Sequence, residues 1–185
     1  PGCRITDGQI IFDDVDLVRL SESKKRNYWG NRMTYVAQSA AASFNPAHRL
    51  INQTTQSTVR AGLKSQAEAF DDARSLYTAL NLPEANTIGD RYPHQVSGGQ
   101  LQRIMTAMAM SPSPDLIVFD EPTTALDVTV QAQVLALIRR LQNELGMAIL
   151  LITHDLGIVK HHSDRVAVMK EGQIVETEET ATLFQ

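Results

Sequence analysis

The 185-residue chain is 43% hydrophobic and 21% charged, with a net charge of −4; this suits one core, or one core with a small subdomain. Its acidic balance, with no basic run beyond Lys24-Lys25-Arg26, argues against a nucleic-acid partner, and its single cysteine, Cys3, excludes an internal disulfide or a Cys-based metal site. The longest apolar runs are strand-sized, whereas a membrane-spanning helix needs about 20 apolar residues.

Residues 1–38 read as strand-rich. Apolar runs at 9–12 and 15–18 flank Asp13-Asp14, the pattern of a strand and turn. Residues 21–27 suit a short helix with Ser21 as its N-cap, and the basic run lies on its solvated face. A strand at 33–37 ends at Gln38. Residues 39–111 then change character: Ala, Gln, Ser and Glu dominate and β-branched runs vanish. Helical spacing covers 50–63 and 68–80, with Leu82-Pro83 expected to close the second helix. After a turn at Tyr92-Pro93-His94, a third helix is expected over Gly98–Met110, capped by Ser97. His48 and His94 read as loop residues.

Residues 112–185 return to alternation. An apolar strand at 116–119 precedes an amphipathic helix over Val128–Leu145. Strands at 148–152, 165–169 and 173–175 come next, with a short helix at 156–161 and a turn at Glu171-Gly172. Continuous apolar strands separated by helices predict an α/β fold whose parallel sheet is covered on both faces.

Four features carry chemistry. The strand at 116–119 ends in Asp120-Glu121, at the sheet edge where ligands bind in open α/β folds. Adjacent residues of an extended chain point to opposite sides, so one carboxylate can hold Mg²⁺ while the other polarises a water. Ser97-Gly98-Gly99-Gln100 opens a helix. The hydroxyl, two unhindered amides and the helix dipole together suit an anion, although a plain capped helix start reads the same way. His154 comes after a strand at the same kind of edge and can hydrogen-bond a phosphate. Asp155 beside it suits an N-cap, and His161-His162, adjacent on a helix, read as solvent-facing. Gln38 sits between core and helical insert, where an amide can sense a ligand.

Gln38, then residues 96–103, then 116–121, then Thr124-Ala125-Leu126-Asp127, then His154 occur in one order. That order resembles the nucleotide-binding subunits of ABC transporters. The string 94–131, with Phe44-Asn45-Pro46, is most similar to ATPases of oligopeptide, dipeptide and nickel importers. The resemblance implies a P-loop NTPase-like (RecA-like) core with an inserted helical subdomain. It divides the chain into 1–38, the N-terminal part of the core; 39–111, the helical subdomain ending in the signature helix; and 112–185, the C-terminal part of the core.

The resemblance also implies roles. Gln38 contacts Mg²⁺ and the attacking water and couples to the membrane subunit. Ser97, Gly98, Gly99 and Gln100 form the signature motif, which binds the γ-phosphate of ATP held by a partner protomer. Asp120 is the Walker B metal acid, and Glu121 is the general base or the residue that orients water. Asp127 belongs to the loop crossing the dimer interface, and His154 is the switch histidine. The implied partners are a second ATPase subunit, head to tail, and transmembrane permease subunits. The implied location is the inner face of the membrane, where ATP hydrolysis powers import of peptides or similar small solutes.

Two departures qualify this. Val96 stands where the commonest signature has Leu, a tolerated apolar exchange. No Gly-x-x-x-x-Gly-Lys-Ser/Thr loop precedes Gly8-Gln9-Ile10. With Pro1 in place of an initiator Met, the chain is expected to be a piece of a longer polypeptide, truncated at both ends and unable to bind ATP tightly alone. Two alternatives share the fold. A non-transport ATPase acting on DNA or the ribosome fits poorly, since 39–96 carries no heptads and the chain is acidic. A nonhydrolysing interaction protein would be free to lose Glu121 and His154, yet both are present.

Overall fold

A computed structural model of the chain describes residues 5–122 and 128–184. It opens on a hairpin, β1 (Ile11–Phe12) and β2 (Val15–Asp16), paired antiparallel. Asp13 and Asp14 both have positive φ, 51° and 61°, as a two-residue hairpin turn requires. A 3-10 turn, Leu17–Arg19, and α1 (Glu22–Lys25) lead to β3 (Met33–Val36). Arg32 pins the hairpin to the sheet. It bonds Asp13 and Asp115 at 2.9 and 2.6 Å, and its guanidinium lies 5.1 Å from the Phe12 ring centroid.

A helical region comes next: α2 (Ala40–Ser43), α3 (Leu50–Arg60), α4 (Gln66–Ala79) and α5 (Gly98–Met110). Helix α4 starts at a capping box in which Ser65 and Glu68 satisfy each other's backbone N–H. It ends at Ala79 with Leu80 as its C-cap, before Asn81 turns left-handed (φ 50°) and ahead of Leu82-Pro83. Leu50, Ala73, Tyr77, Ile88 and Ile104 are fully buried between these helices. Tyr77 keeps its hydroxyl satisfied by bonding Thr54 at 2.6 Å. Burial raises its phenol far above the usual value. Gly89 is glycine for want of room: a Cβ there would lie 2.9 Å from the Ile51 Cβ.

The chain then forms β4 (Leu116–Asp120), α6 (Val128–Leu145), β5 (Ala148–Ile152), α7 (Leu156–His162), β6 (Arg165–Lys170), β7 (Gln173–Glu179) and α8 (Thr180–Leu183). Strands β3, β4 and β5 form a parallel sheet in that order, aligning Val36 with Phe119 and Phe119 with Leu151. Strands β6 and β7 pair antiparallel as a separate hairpin.

One face of the parallel sheet is covered. Val36, Ile117 and Phe119 share a core with Leu101, Ile104 and Met105 of α5 and with Val134 and Ile138 of α6. The other face corrects the expectation of cover on both sides. Tyr35 is 55% exposed, Leu150 52% and Ile152 47%. The apolar runs of β4 and β5 show that both faces can be buried, but no described element packs on the second. No helix among the described residues is long and apolar enough to cross a membrane.

Candidate functional site

The parallel pairing fixes where the candidate residues gather. Three strands end together, so the residues just beyond each of them arrive at one edge. Gln38 lies two residues beyond β3, Asp120 ends β4 with Glu121 next, and His154 lies two residues beyond β5. The side chains meet around Glu121. Gln38 Nε2 donates to Glu121 Oε2 at 2.9 Å, and His154 Nδ1 lies 2.9 Å from Glu121 Oε1. A carboxylate facing Nδ1 favours the tautomer with its proton there, because a bare lone pair would confront an anion. That leaves Nε2 to face outward on a largely exposed ring, while the Glu121 side chain is only 27% exposed.

Asp120 and Glu121 separate, but not as residues of one extended chain. Glu121 has φ 47°, in the left-handed region that a non-glycine residue adopts only at a cost of about 1–3 kcal/mol. Its N–H still donates to the Ile152 carbonyl at 2.9 Å, the last rung of the β4–β5 ladder, so the chain turns off β4 at Glu121 itself. The turn carries the Glu121 carboxylate to Gln38 and His154. Asp120 stays in the strand and accepts a hydrogen bond from the Tyr35 hydroxyl, 2.6 Å away.

Tyr35 is the residue that sequence reasoning missed here. It is level with Val118 on the neighbouring strand, so Asp120, two residues on, shares its face. The bond to Asp120, more than burial, raises its phenol above the usual value. No sequence signal marks it without the strand register.

The second group lies at the start of α5. Ser97 and Gln100 form a capping box: the Gln100 N–H donates to Ser97 Oγ at 3.2 Å, and the Ser97 N–H donates to Gln100 Oε1 at 2.9 Å. As an acceptor in this box, Ser97 Oγ keeps its own proton for a further partner. The first-turn amides of Gly98 and Gly99 have no acceptor within the helix. A Cβ at Gly98 would meet nothing within 4 Å, so packing within the chain does not demand glycine there. Arg103 fixes the helix start by donating to the carbonyls of Gly99, Leu80 and Asn81 at 3.2, 3.2 and 2.7 Å. Burial lowers its pKa.

Gln102, also unanticipated, joins the two groups. It is 3% exposed and donates from Nε2 to the carbonyl of Pro122 at 3.0 Å. Its signal was a lone amide among the buried positions Leu101, Ile104 and Met105.

Other expectations resolve simply. Asp155 caps α7, accepting from the N–H groups of Gly157 and Ile158. His162 is not solvent-facing: its Nδ1 is buried, and burial, then Arg139 and His161, lower its pKa. His94 lies in a 3-10 turn, Pro93–Gln95, stacked on Tyr92 at 5.8 Å. Asp127 and its neighbours 124–126 lie outside the described residues.

The family profile described as ABC transporter matches residues 3–124, well over half of the chain. The chain belongs to the ABC transporter family. Among curated ABC relatives, the probable peptide ABC transporter ATP-binding protein y4tR of Sinorhizobium fredii (strain NBRC 101917 / NGR234) is 41% identical over 177 residues. The match covers 96% of this chain and 53% of that protein. The glutathione import ATP-binding protein GsiA of Shigella dysenteriae serotype 1 (strain Sd197) is 42% identical over 172 residues, covering 93% of this chain and 28% of that one. The chain therefore spans about half the length of these relatives, or less. Among solved structures, the dimeric ATP-binding cassette MJ0796, in a post-hydrolysis state bound to ADP and Pi, superposes with a TM-score of 0.85 at 24% identity. It covers 95% of this chain and 74% of that chain. This likeness shows that the chain shares the α/β fold of that cassette.

Proposed function

We propose that this ABC-family chain carries the hydrolytic edge of an ATPase subunit that powers import of peptides or similar small solutes. The observation that carries the reading is the Gln38–Glu121–His154 arrangement, in which one half-buried carboxylate at a sheet edge is held from both sides. A fixed carboxylate is what a general base for water attack requires, because its orientation is set before the reaction. In this reading Glu121 takes or orients that proton. Gln38 and His154 hold Glu121, with the His154 Nε2 turned toward the terminal phosphate.

ATP is the substrate and Mg²⁺ the metal that the family implies. No cluster of three or more His, Cys, Asp or Glu side chains suited to a metal occurs among the described residues. The Asp120 carboxylate and the Gln38 amide are oxygen donors of the kind Mg²⁺ takes, one or two from protein with phosphate and water completing its shell. Asp120 would hold it through Oδ1, leaving Oδ2 to Tyr35, and Gln38 would offer its amide oxygen. The ion would supply charge neutralisation on the phosphates.

Ser97, Gly98, Gly99 and Gln100 are assigned to the γ-phosphate of ATP bound by a second ATPase subunit, head to tail. The retained Ser97 proton, the open first-turn amides and the unexplained glycine at 98 support this. Asp127 is assigned to the dimer interface, and residues 39–96 to docking on permease subunits at the inner face of the membrane. The transport role is supported by relatives named for peptide, glutathione and peptidoglycan transport.

The test is Glu121→Gln in the native polypeptide. ATP binding is expected to persist while turnover falls by about 10²–10⁴-fold, the usual contribution of a general base. Unchanged turnover would overturn the role of Glu121.

A further inference from the structure

We infer that Gln102 is a positioning residue that ties the signature helix to the conformation of Glu121. The inference rests on the reading of Glu121 given above and adds a residue to it. Glu121 holds a left-handed backbone that an L-residue keeps only when its surroundings over-determine it. Among the described contacts, two hold the backbone on either side of it. On the strand side, its N–H is bound to the Ile152 carbonyl at 2.9 Å. On the other side, the carbonyl of the next residue, Pro122, accepts the Gln102 amide at 3.0 Å.

The second tether has weight because of where it lies. Gln102 is almost wholly enclosed, between Leu101 and the buried Ile104 and Met105, and Pro122 is buried as well. A buried amide and a buried carbonyl hold one another strongly, since each loses its partner without water to replace it. Gln102 also sits in α5, five residues after Ser97. The helix start is fixed by the Ser97–Gln100 box and by the Arg103 bonds to Leu80 and Asn81. A shift of this helix is therefore passed through a side chain to the turn that aims Glu121. The four signature residues and the carboxylate thus share one mechanical link.

The experiment uses the native polypeptide with Gln102→Met, which keeps length and apolar volume but removes the donor. Gln102→Asn, one methylene short of the carbonyl, is the second variant should Met disturb the core. Turnover and backbone amide exchange are measured for each. The expected result is a fall in kcat of about tenfold, equivalent to about 1.4 kcal/mol, with KM for ATP within about twofold. Exchange should quicken at the Glu121 amide while Val36 and Phe119 keep their protection. In a Glu121→Gln background, Gln102→Met should cost nothing further in turnover.

A kcat within twofold of wild type would overturn the inference. So would an equal tenfold loss in the Glu121→Gln background, or exchange that quickens evenly across the sheet, as a merely structural role would give. If Glu121→Gln alone leaves turnover unchanged, the reading of Glu121 fails first, and this inference falls with it.

Discussion

The helical region and the parallel sheet bury their apolar residues very differently. Helices α3, α4 and α5 bury Leu50, Ala73, Tyr77, Ile88 and Ile104 completely, and the Tyr77 hydroxyl is paired with Thr54. Among the described residues the sheet is packed against α5 and α6 on one face, and Tyr35, Leu150 and Ile152 stand out from the other. The residues proposed for the chemistry lie in the less enclosed region, at the edge where three strands end. The tightly packed region holds the helix whose first turn is assigned to a phosphate. Rigidity on one side and access on the other is the arrangement expected when a scaffold positions reactive groups for a ligand that arrives from outside.

The sharpest way to break this contrast is a pair of truncations in the 185-residue chain. Ile104→Ala should cost about 2–5 kcal/mol by urea unfolding, because it opens a cavity in an enclosed core. Leu150→Ala should stay within about 0.5 kcal/mol, the range of a surface change. Similar costs for the two would show that the second sheet face is covered after all.

A smaller effect sharpens the contrast at the sheet edge. Tyr35→Phe deletes the donor to Asp120 on the exposed face. A hydrogen bond is worth about 0.5–1.5 kcal/mol net, so the Mg²⁺ concentration for half-maximal turnover should rise about 2- to 10-fold. The phenol is exposed, so the unfolding midpoint should hardly move. A Mg²⁺ requirement equal to wild type would show that the Tyr35–Asp120 bond does not orient the metal acid.

Much of this was legible in the sequence because it is local. Ser97 ahead of helical periodicity defines a cap and a helix, and the structure begins and ends that helix at Gly98 and Met110. The strand ending in Asp120 and the helix Val128–Leu145 are likewise written in apolar patterning. The features that escaped depend on register and packing. Tyr35 reaches Asp120 only because β3 pairs with β4 in a particular alignment. The left-handed turn at Glu121 is not a preference of Glu itself, and it lies between a bond to β5 and a bond from α5 to the Pro122 carbonyl. The open face of the sheet was hidden for a related reason. Continuous apolar runs such as that of β5 record what a strand can bury, and only the neighbouring elements decide what it does bury.

The proposed hydrolytic carboxylate and the groups proposed to meet a partner's phosphate lie within these residues, without a cradle for a nucleotide's own phosphates. No Gly-x-x-x-x-Gly-Lys-Ser/Thr loop occurs in the sequence. Calorimetric titration of Mg-ATP into the 185-residue chain tests this division most directly. The account predicts no saturable binding in the micromolar range. A micromolar dissociation constant would contradict it and place a complete nucleotide site within these residues.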